Sequence, residues 1–330
     1  LAKFTIGITD HCEGPLSNPS KAIFDEVADL IRLADDLGVK YAWFAEHHGH
    51  AHQGHLPTPL LFALHLASQT KRIQLGTAIT CLNLHHPLDV AEQTAVADTL
   101  TGGRMAVGFG SGSTPEEFGY FGLEVTDEAE RHARFEAALR VIKAAWTGRW
   151  RGSESSWFRL NSHASLPHPA ASLSERCWLA VNSVGSARIA GAFNFNILFS
   201  HLRTSDQYRE YISAYRGAGG HGLIAANRPV FVGPTDAIAF QRAEPALRIL
   251  WRRFQREGKI AADIAEPRDP AALCGHPLNF LVGSRATVMH HLEELHAQTP
   301  FDVANVEVRW EGLDHATVCE SLRLLMSENV

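Results

Sequence analysis

The chain has 330 residues, 45% of them hydrophobic and 20% charged, with a formal net charge of −6; this balance supplies a sizeable core and excludes a disordered chain. The acidic surplus leaves no basic footprint for a nucleic-acid backbone and no polybasic patch for a membrane surface, so neither is expected as a partner. The five cysteines, Cys12, Cys81, Cys177, Cys274 and Cys319, form no C-x-x-C pair, which argues against a disulfide framework or thiolate zinc site and fits a reducing compartment.

In chain order, residues 4–9 read as a strand and 20–37 as a helix, because Ile23, Val27, Leu30, Ile31 and Ala34 recur at helical spacing before a Gly38 stop. A strand at 41–45, a proline-led helix at 57–68 and a strand at 73–80 follow. Pro87 opens a helix to residue 100, Thr101-Gly102-Gly103 turns the chain, and a strand at 105–109 runs into Gly110-Ser111-Gly112-Ser113. The helix at 127–146 carries acids in its first turn, as the helix dipole favours.

Residues 147–176 lose periodicity and read as an insertion, and 258–283 as a second one. Strands are expected at 177–181, 196–200, 228–232 and 305–310, with helices at 186–192, 206–216 and 235–257, another ending near His296, and a closing helix at 313–326. Eight strand–helix alternations predict one α/β domain over residues 1–330, a (β/α)8 TIM barrel with insertions, whose active site lies just past the carboxyl ends of the strands. No stretch reads as a leader or as an apolar run of about 18 residues, so a cytoplasmic protein is expected.

Three segments fall on that rim. After the second strand comes Glu46-His47-His48-Gly49-His50-Ala51-His52-Gln53-Gly54-His55, with five histidines in nine positions. A metal site for hydrolysis is one reading, but His47 and His48 on extended chain point to opposite sides, unlike the usual same-face ligand pairs. The rival reading turns His47 into the barrel mouth as an acid, base or hydrogen-bond donor, His48 outward into packing, and His50, His52 and His55 into a solvated loop. After the fourth strand, Gly110 and Ser111 lie where backbone could approach an anion, or where a tight turn is needed. At Asn182-Ser183-Val184-Gly185-Ser186 a strand passes into a helix whose first amides, with two serine hydroxyls, suit a terminal phosphate; simple N-capping is the alternative.

Taken together, Tyr41-Ala-Trp-Phe-Ala-Glu-His-His48, Ile73-Gln-Leu-Gly-Thr-Ala-Ile79, His86-Pro-Leu-Asp-Val-Ala-Glu-Gln93 and Asp98-Thr-Leu-Thr-Gly-Gly-Arg104 resemble the bacterial luciferase-like superfamily of flavin-dependent monooxygenases and oxidoreductases. The resemblance is strong over the first half and looser in the C-terminal third. It implies a TIM-like barrel that uses reduced FMN, or a deazaflavin coenzyme, and oxygen chemistry on a small organic substrate. His47 then corresponds to the catalytic histidine, with Glu46 on the flavin side. Ala78 and Ile79 correspond to a flavin-supporting strand that carries a non-proline cis peptide, and Asn182, Ser183 and Ser186 to the flavin-phosphate site. Bacterial luciferase has cysteine and arginine where this chain has Gly110 and Ser111, so the charged phosphate clamp and the thiol are missing and light production is not expected.

No glycine-rich dinucleotide fingerprint is present, so reduced flavin would come from a separate reductase. The family's habit implies a homodimer through the helices at 57–68 and 87–100, with Glu92 and His48 near the contact. Deazaflavin-dependent hydride transfer is the alternative, followed by a metallohydrolase and a non-catalytic flavin-binding subunit.

Overall fold

The computed structural model describes residues 3–49, 54–124, 127–148, 153–161, 167–169 and 171–327. In chain order its elements are β1 (Thr5–Asp10), α1 (Ser20–Asp36), β2 (Tyr41–Phe44), α2 (Pro59–Ala67), β3 (Gln74–Thr77), β4 (Thr80–Cys81), α3 (Pro87–Leu100), β5 (Met105–Gly110), α4 (Pro115–Tyr120) and α5 (Glu128–Trp146). Then come a short antiparallel hairpin of β6 (Ser153–Glu154) and β7 (Arg159–Leu160), β8 (Cys177–Val181), α6 (Val184–Phe193), β9 (Asn196–Phe199) and α7 (Ser205–Gly217). The chain finishes with β10 (Ile224–Gly233), α8 (Asp236–Arg256), β11 (Leu281–Ser284), α9 (Arg285–Gln298), β12 (Val303–Glu307) and α10 (His315–Met326).

Eight of these strands close a parallel barrel in the order β1-β2-β3-β5-β8-β9-β10-β12 and back to β1, as the alternation predicted. β4 continues β3 beyond a bend and pairs with β5, while β11 pairs only with the outer end of β10. Several strand limits differ from expectation, among them the end of β3 at Thr77, the end of β12 and the start of β10. β12 ends at Glu307 although the apolar alternation runs on through Val308 and Trp310, because the chain there leaves the ladder: Trp310 Nε1 donates back to the Glu307 carbonyl at 2.7 Å. β10 starts at Ile224, earlier than read, because Ala225 and Ala226 have little strand propensity of their own and are held by pairing with β9 and β12 on both sides.

Successive side chains alternate between the barrel interior and the helix layer. Tyr41, Trp43, Ala106, Trp178, Ala225 and Val303 make the interior floor. Trp43 stacks on Tyr41 at 5.5 Å, meets Trp178 edge-on at 5.3 Å, and donates its indole N–H to Asn305 at 3.1 Å. Two indoles fit only because neighbouring positions are small: a Cβ at Gly76 would sit 2.5 Å from the Trp43 ring. The outward residues of the same strands, such as Phe44, Leu75, Val107 and Leu179, pack with α1, α2, α3 and α5 in the main core. This plugged floor closes the lower barrel and leaves the upper end, at the strand carboxyl termini, open for a site. Among the described residues no helix is long and apolar enough to cross a membrane, and all five cysteines are free thiols.

Candidate active site

A cavity of about 250 Å³ occupies the barrel mouth. Strand-end residues form its base: Thr9 from β1, Ala78 beyond β3, Ala180 and Asn182 around the end of β8, Leu198 and Phe199 from β9, Asn227 and Pro229 from β10, and Asn305 and Glu307 from β12. His47 enters from the loop after β2, as its position in the sequence suggested.

His47 is 16% exposed and held from two sides. Its Nδ1 lies 3.3 Å from Glu117 Oε1, and its Nε2 lies 3.4 Å from His11 Nδ1, with the two rings nearly parallel. A carboxylate only accepts, so Nδ1 carries the proton toward Glu117, and Nε2 of the neutral ring is the unprotonated nitrogen, beside His11. The same Glu117 oxygen accepts the His48 amide at 2.9 Å, which ties the loop to α4. Burial pushes the Glu117 carboxyl up, but the hydrogen bonds from His47 and His48 outweigh it and hold it below the ordinary carboxylate range.

Glu46 does not join the cavity wall. It is 6% exposed, and its Oε1 accepts from His48 Nε2 at 3.0 Å and His85 Nε2 at 2.9 Å. Burial raises its pKa and these two imidazoles lower it further than that, so it is an anion shared between two donors. The three ligand atoms lie within 4.8 Å of one another, but the separations are hydrogen-bond lengths and the cluster is closed off from the cavity. Neighbouring residues on extended chain therefore do diverge: His47 faces the cavity and His48 the packing. Of the other histidines in this loop, His50 and His52 lie outside the described residues. His55 is not a solvated loop residue, because its ring bridges Ser20 Oγ and the Gly14 carbonyl, both at 2.9 Å.

The Ala78–Ile79 peptide is cis, as the resemblance implied, and both residues line the cavity. Gly110 and Ser111 do not line it. A Cβ on Gly110 would press on the Ile79 side chain at 2.8 Å, and the Ser111 carbonyl accepts from Asn83 at 2.9 Å; this segment makes room for protein, not for a ligand. Asn182 reaches the cavity, while Ser183 and Ser186 stand beside it as a reciprocal capping box. Ser183 Oγ accepts the Ser186 amide at 3.2 Å, and Ser186 Oγ accepts the Ser183 amide at 3.1 Å. Capping thus explains both serines, and the amides of Val184 and Gly185 remain as the open donors of the helix start. The His132 ring from α5 packs against Gly185, and burial lowers its pKa, so it is an uncharged ring at neutral pH.

Sequence reading missed His11, Glu117, His201 and Glu307. Three of them sit within two residues of a strand end, where the rim rule pointed without saying which polar residue counts. Burial, helped by His11, Arg228, Lys259 and Arg253, pushes His201 down to about 3. Burial and then Glu13 push Glu307 up to about 8, with Asp10 adding to the rise and Arg253 and Arg309 opposing it.

Residues 5–300 match the family described as luciferase-like monooxygenase. The uncharacterized protein y4wF of Sinorhizobium fredii is 31% identical over 319 residues, spanning 89% of this chain and 88% of its own. The oxygenase component of the flavin-dependent trigonelline monooxygenase of Acinetobacter baylyi is 22% identical, over 84% of this chain and 81% of its own. Among solved structures, the oxygenating constituent of 3,6-diketocamphane monooxygenase of Pseudomonas putida, in complex with FMN, superposes with a TM-score of 0.80 at 21% identity, covering 98% of this chain and 97% of its own. With a family match across nearly the whole barrel and a relative above 30% identity along most of its length, this chain belongs to the luciferase-like monooxygenases.

Proposed function

We propose that this protein is the oxygenase of a flavin-dependent monooxygenase reaction, in which reduced FMN and O2 oxidise a small organic substrate in the barrel mouth. The observation that carries the reading is His47, braced by Glu117 and turned into a cavity whose wall includes Ala78 and Ile79.

The residues present fit a flavin. Ala78 and Ile79 offer a flat apolar wall for a ring, Asn182 a polar side chain at its edge, and the Val184 and Gly185 amides an anion site one step outside the cavity. Ser183 and Ser186 support this site by fixing the helix start. Glu46 acts behind it, because its backbone N–H donates to the Ile79 carbonyl at 3.3 Å while its carboxylate anchors His48 and His85. Gly110 keeps Ile79 in place, and Ser111 takes no direct part. When bound, reduced flavin supplies the electrons that activate oxygen. His47 holds or accepts a proton at Nε2 as the substrate is oxidised, Glu117 fixes its orientation and tautomer, and Leu198, Phe254, Phe280 and Trp310 exclude water.

A separate reductase fits the missing dinucleotide fingerprint and the likeness to an oxygenase component. We further propose a homodimer through α2 and α3, which expose Leu61, Val96 and Leu100, a cytoplasmic location, and one domain with insertions at 147–176 and 258–283. Anaerobic titration with reduced FMN and with a reduced deazaflavin tests the cofactor. Saturable quenching with FMN is expected; saturation with the deazaflavin alone would move the reaction to hydride transfer, and binding of neither would end the reading.

A further inference from the structure

The cavity has two unlike sides. Ala78, Ile79 and Asn182 belong to the arc from β3 to β8, whereas His201 just after β9, Asn227 in β10 and Glu307 at the end of β12 belong to the other arc, with Phe254, Phe280 and Trp310 around them. Among the residues that line this second side, three side-chain atoms are shielded from solvent and have no hydrogen-bond partner among the described residues: Glu307 Oε2, His201 Nε2 and Arg253 Nε, the last lying 3.7 Å from Glu257 Oε1. The basic atom recorded beside Glu307 Oε2, His11 Nε2, is 3.9 Å away, beyond hydrogen-bond reach. A buried polar atom left unpaired is unfavourable, and the Glu307 and His201 side chains that carry two of these atoms both line the cavity, where a ligand can complete the bonding.

Charge on this side is already balanced. Arg253 pairs with Glu13 at 2.7 Å, Lys259 with Glu257 at 2.6 Å, and Arg309 lies 3.7 Å from Asp10 while donating to the Glu13 carbonyl. Glu307, pushed up to about 8, carries its proton at neutral pH, and His201, pushed down to about 3, is uncharged. The first therefore donates through O–H, and the second offers one neutral ring nitrogen. A charged ligand group would find the cations that line this side already paired, and Arg228, which bonds Tyr208 and the Asn227 carbonyl, lies outside the cavity lining, in surroundings where an unpaired charge is strongly disfavoured.

We propose that Glu307 and His201 are the specificity pair of the substrate pocket, selecting an uncharged organic molecule whose polar groups hydrogen-bond to them and whose apolar body lies against Phe254, Phe280 and Trp310. The inference rests on the flavin reading for the chemistry that follows binding, but not for the binding itself.

The test uses three probes with one phenylethyl body: benzylacetone, which is neutral, hydrocinnamate, an anion, and phenethylamine, a cation. Each is titrated calorimetrically into the flavin-free protein at neutral pH, and FMN is titrated into the same preparation. Benzylacetone is expected to bind at least about tenfold more tightly than either charged probe. Glu307→Leu is expected to weaken benzylacetone about tenfold, the loss of one buried hydrogen bond, while Glu307→Gln, which keeps a neutral donor, stays within about threefold. A charged probe that binds as well as the ketone, or a Glu307→Leu protein that binds it unchanged, would overturn the proposal. If Glu307→Leu does not fold, the wild-type ranking and a His201→Phe variant decide. FMN binding with the wrong probe ranking removes this inference alone; the right ranking without FMN binding removes the flavin reading and leaves the pocket standing.

Discussion

Replacing His47 by alanine is expected to lower turnover by about a hundred- to ten-thousand-fold, the contribution of a positioned acid–base group, with FMN affinity close to wild type. The two readouts separate because His47 lines the cavity from the loop after β2, while the wall proposed for the flavin is built from Ala78, Ile79 and Asn182. Glu117 sharpens the expectation. It holds Nδ1 and also the His48 amide, so Glu117→Gln should reduce turnover less than His47→Ala and shift the pH profile, because an amide orients the ring without stabilising its protonated form. Steady-state oxygen uptake with supplied reduced FMN, once a substrate has been found by screening, gives the rates. Equal loss of flavin affinity and turnover in His47→Ala would make the residue structural.

The second large effect lies at the opposite pole of the barrel. Asp98, at the end of α3, has no exposed side-chain surface, and Arg176, just before β8, grips both its oxygens at 2.7 and 3.2 Å. Arg176 also donates to the Met105 carbonyl at the start of β5, so one guanidinium joins α3, β5 and β8 beneath the tryptophan floor. Asp98→Asn leaves this half-buried cation without its fully buried anion and is expected to destabilise the fold by about 3 kcal/mol. Urea unfolding should show a lower midpoint with an unchanged slope, and folded variant at low temperature should still bind FMN, because barrel stability and chemistry reside at opposite ends. A midpoint within about 0.5 kcal/mol of wild type would place the residue among ordinary surface sites.

The barrel was legible because its strands are apolar, β-branched or aromatic and its helices carry a clear stripe, so the period itself changes at each boundary. Limits were lost where that signal fails: Val308 and Trp310 keep the alternation after the ladder has ended, and the weak strand formers Ala225 and Ala226 hide the start of β10. α4 was missed because six residues opening on Pro115-Glu116-Glu117 show no helical stripe, and with it went Glu117, the partner of His47.

At the site, His47 was readable from a dense local motif, whereas His11, His201 and Glu307 are single polar residues separated by more than a hundred positions and joined only by barrel closure. Ser183 and Ser186 illustrate a different limit. Their spacing serves a capping box and a phosphate cradle alike, and the hydroxyl geometry shows that capping occupies both.

The most direct measurement is diffraction from crystals soaked in FMN. Isoalloxazine density against Ala78 and Ile79, with the His47 ring facing it and the phosphate at the Val184–Gly185 amides, is the expected result. FMN density elsewhere on the protein, or in the mouth with His47 turned away from the ring, would contradict the account.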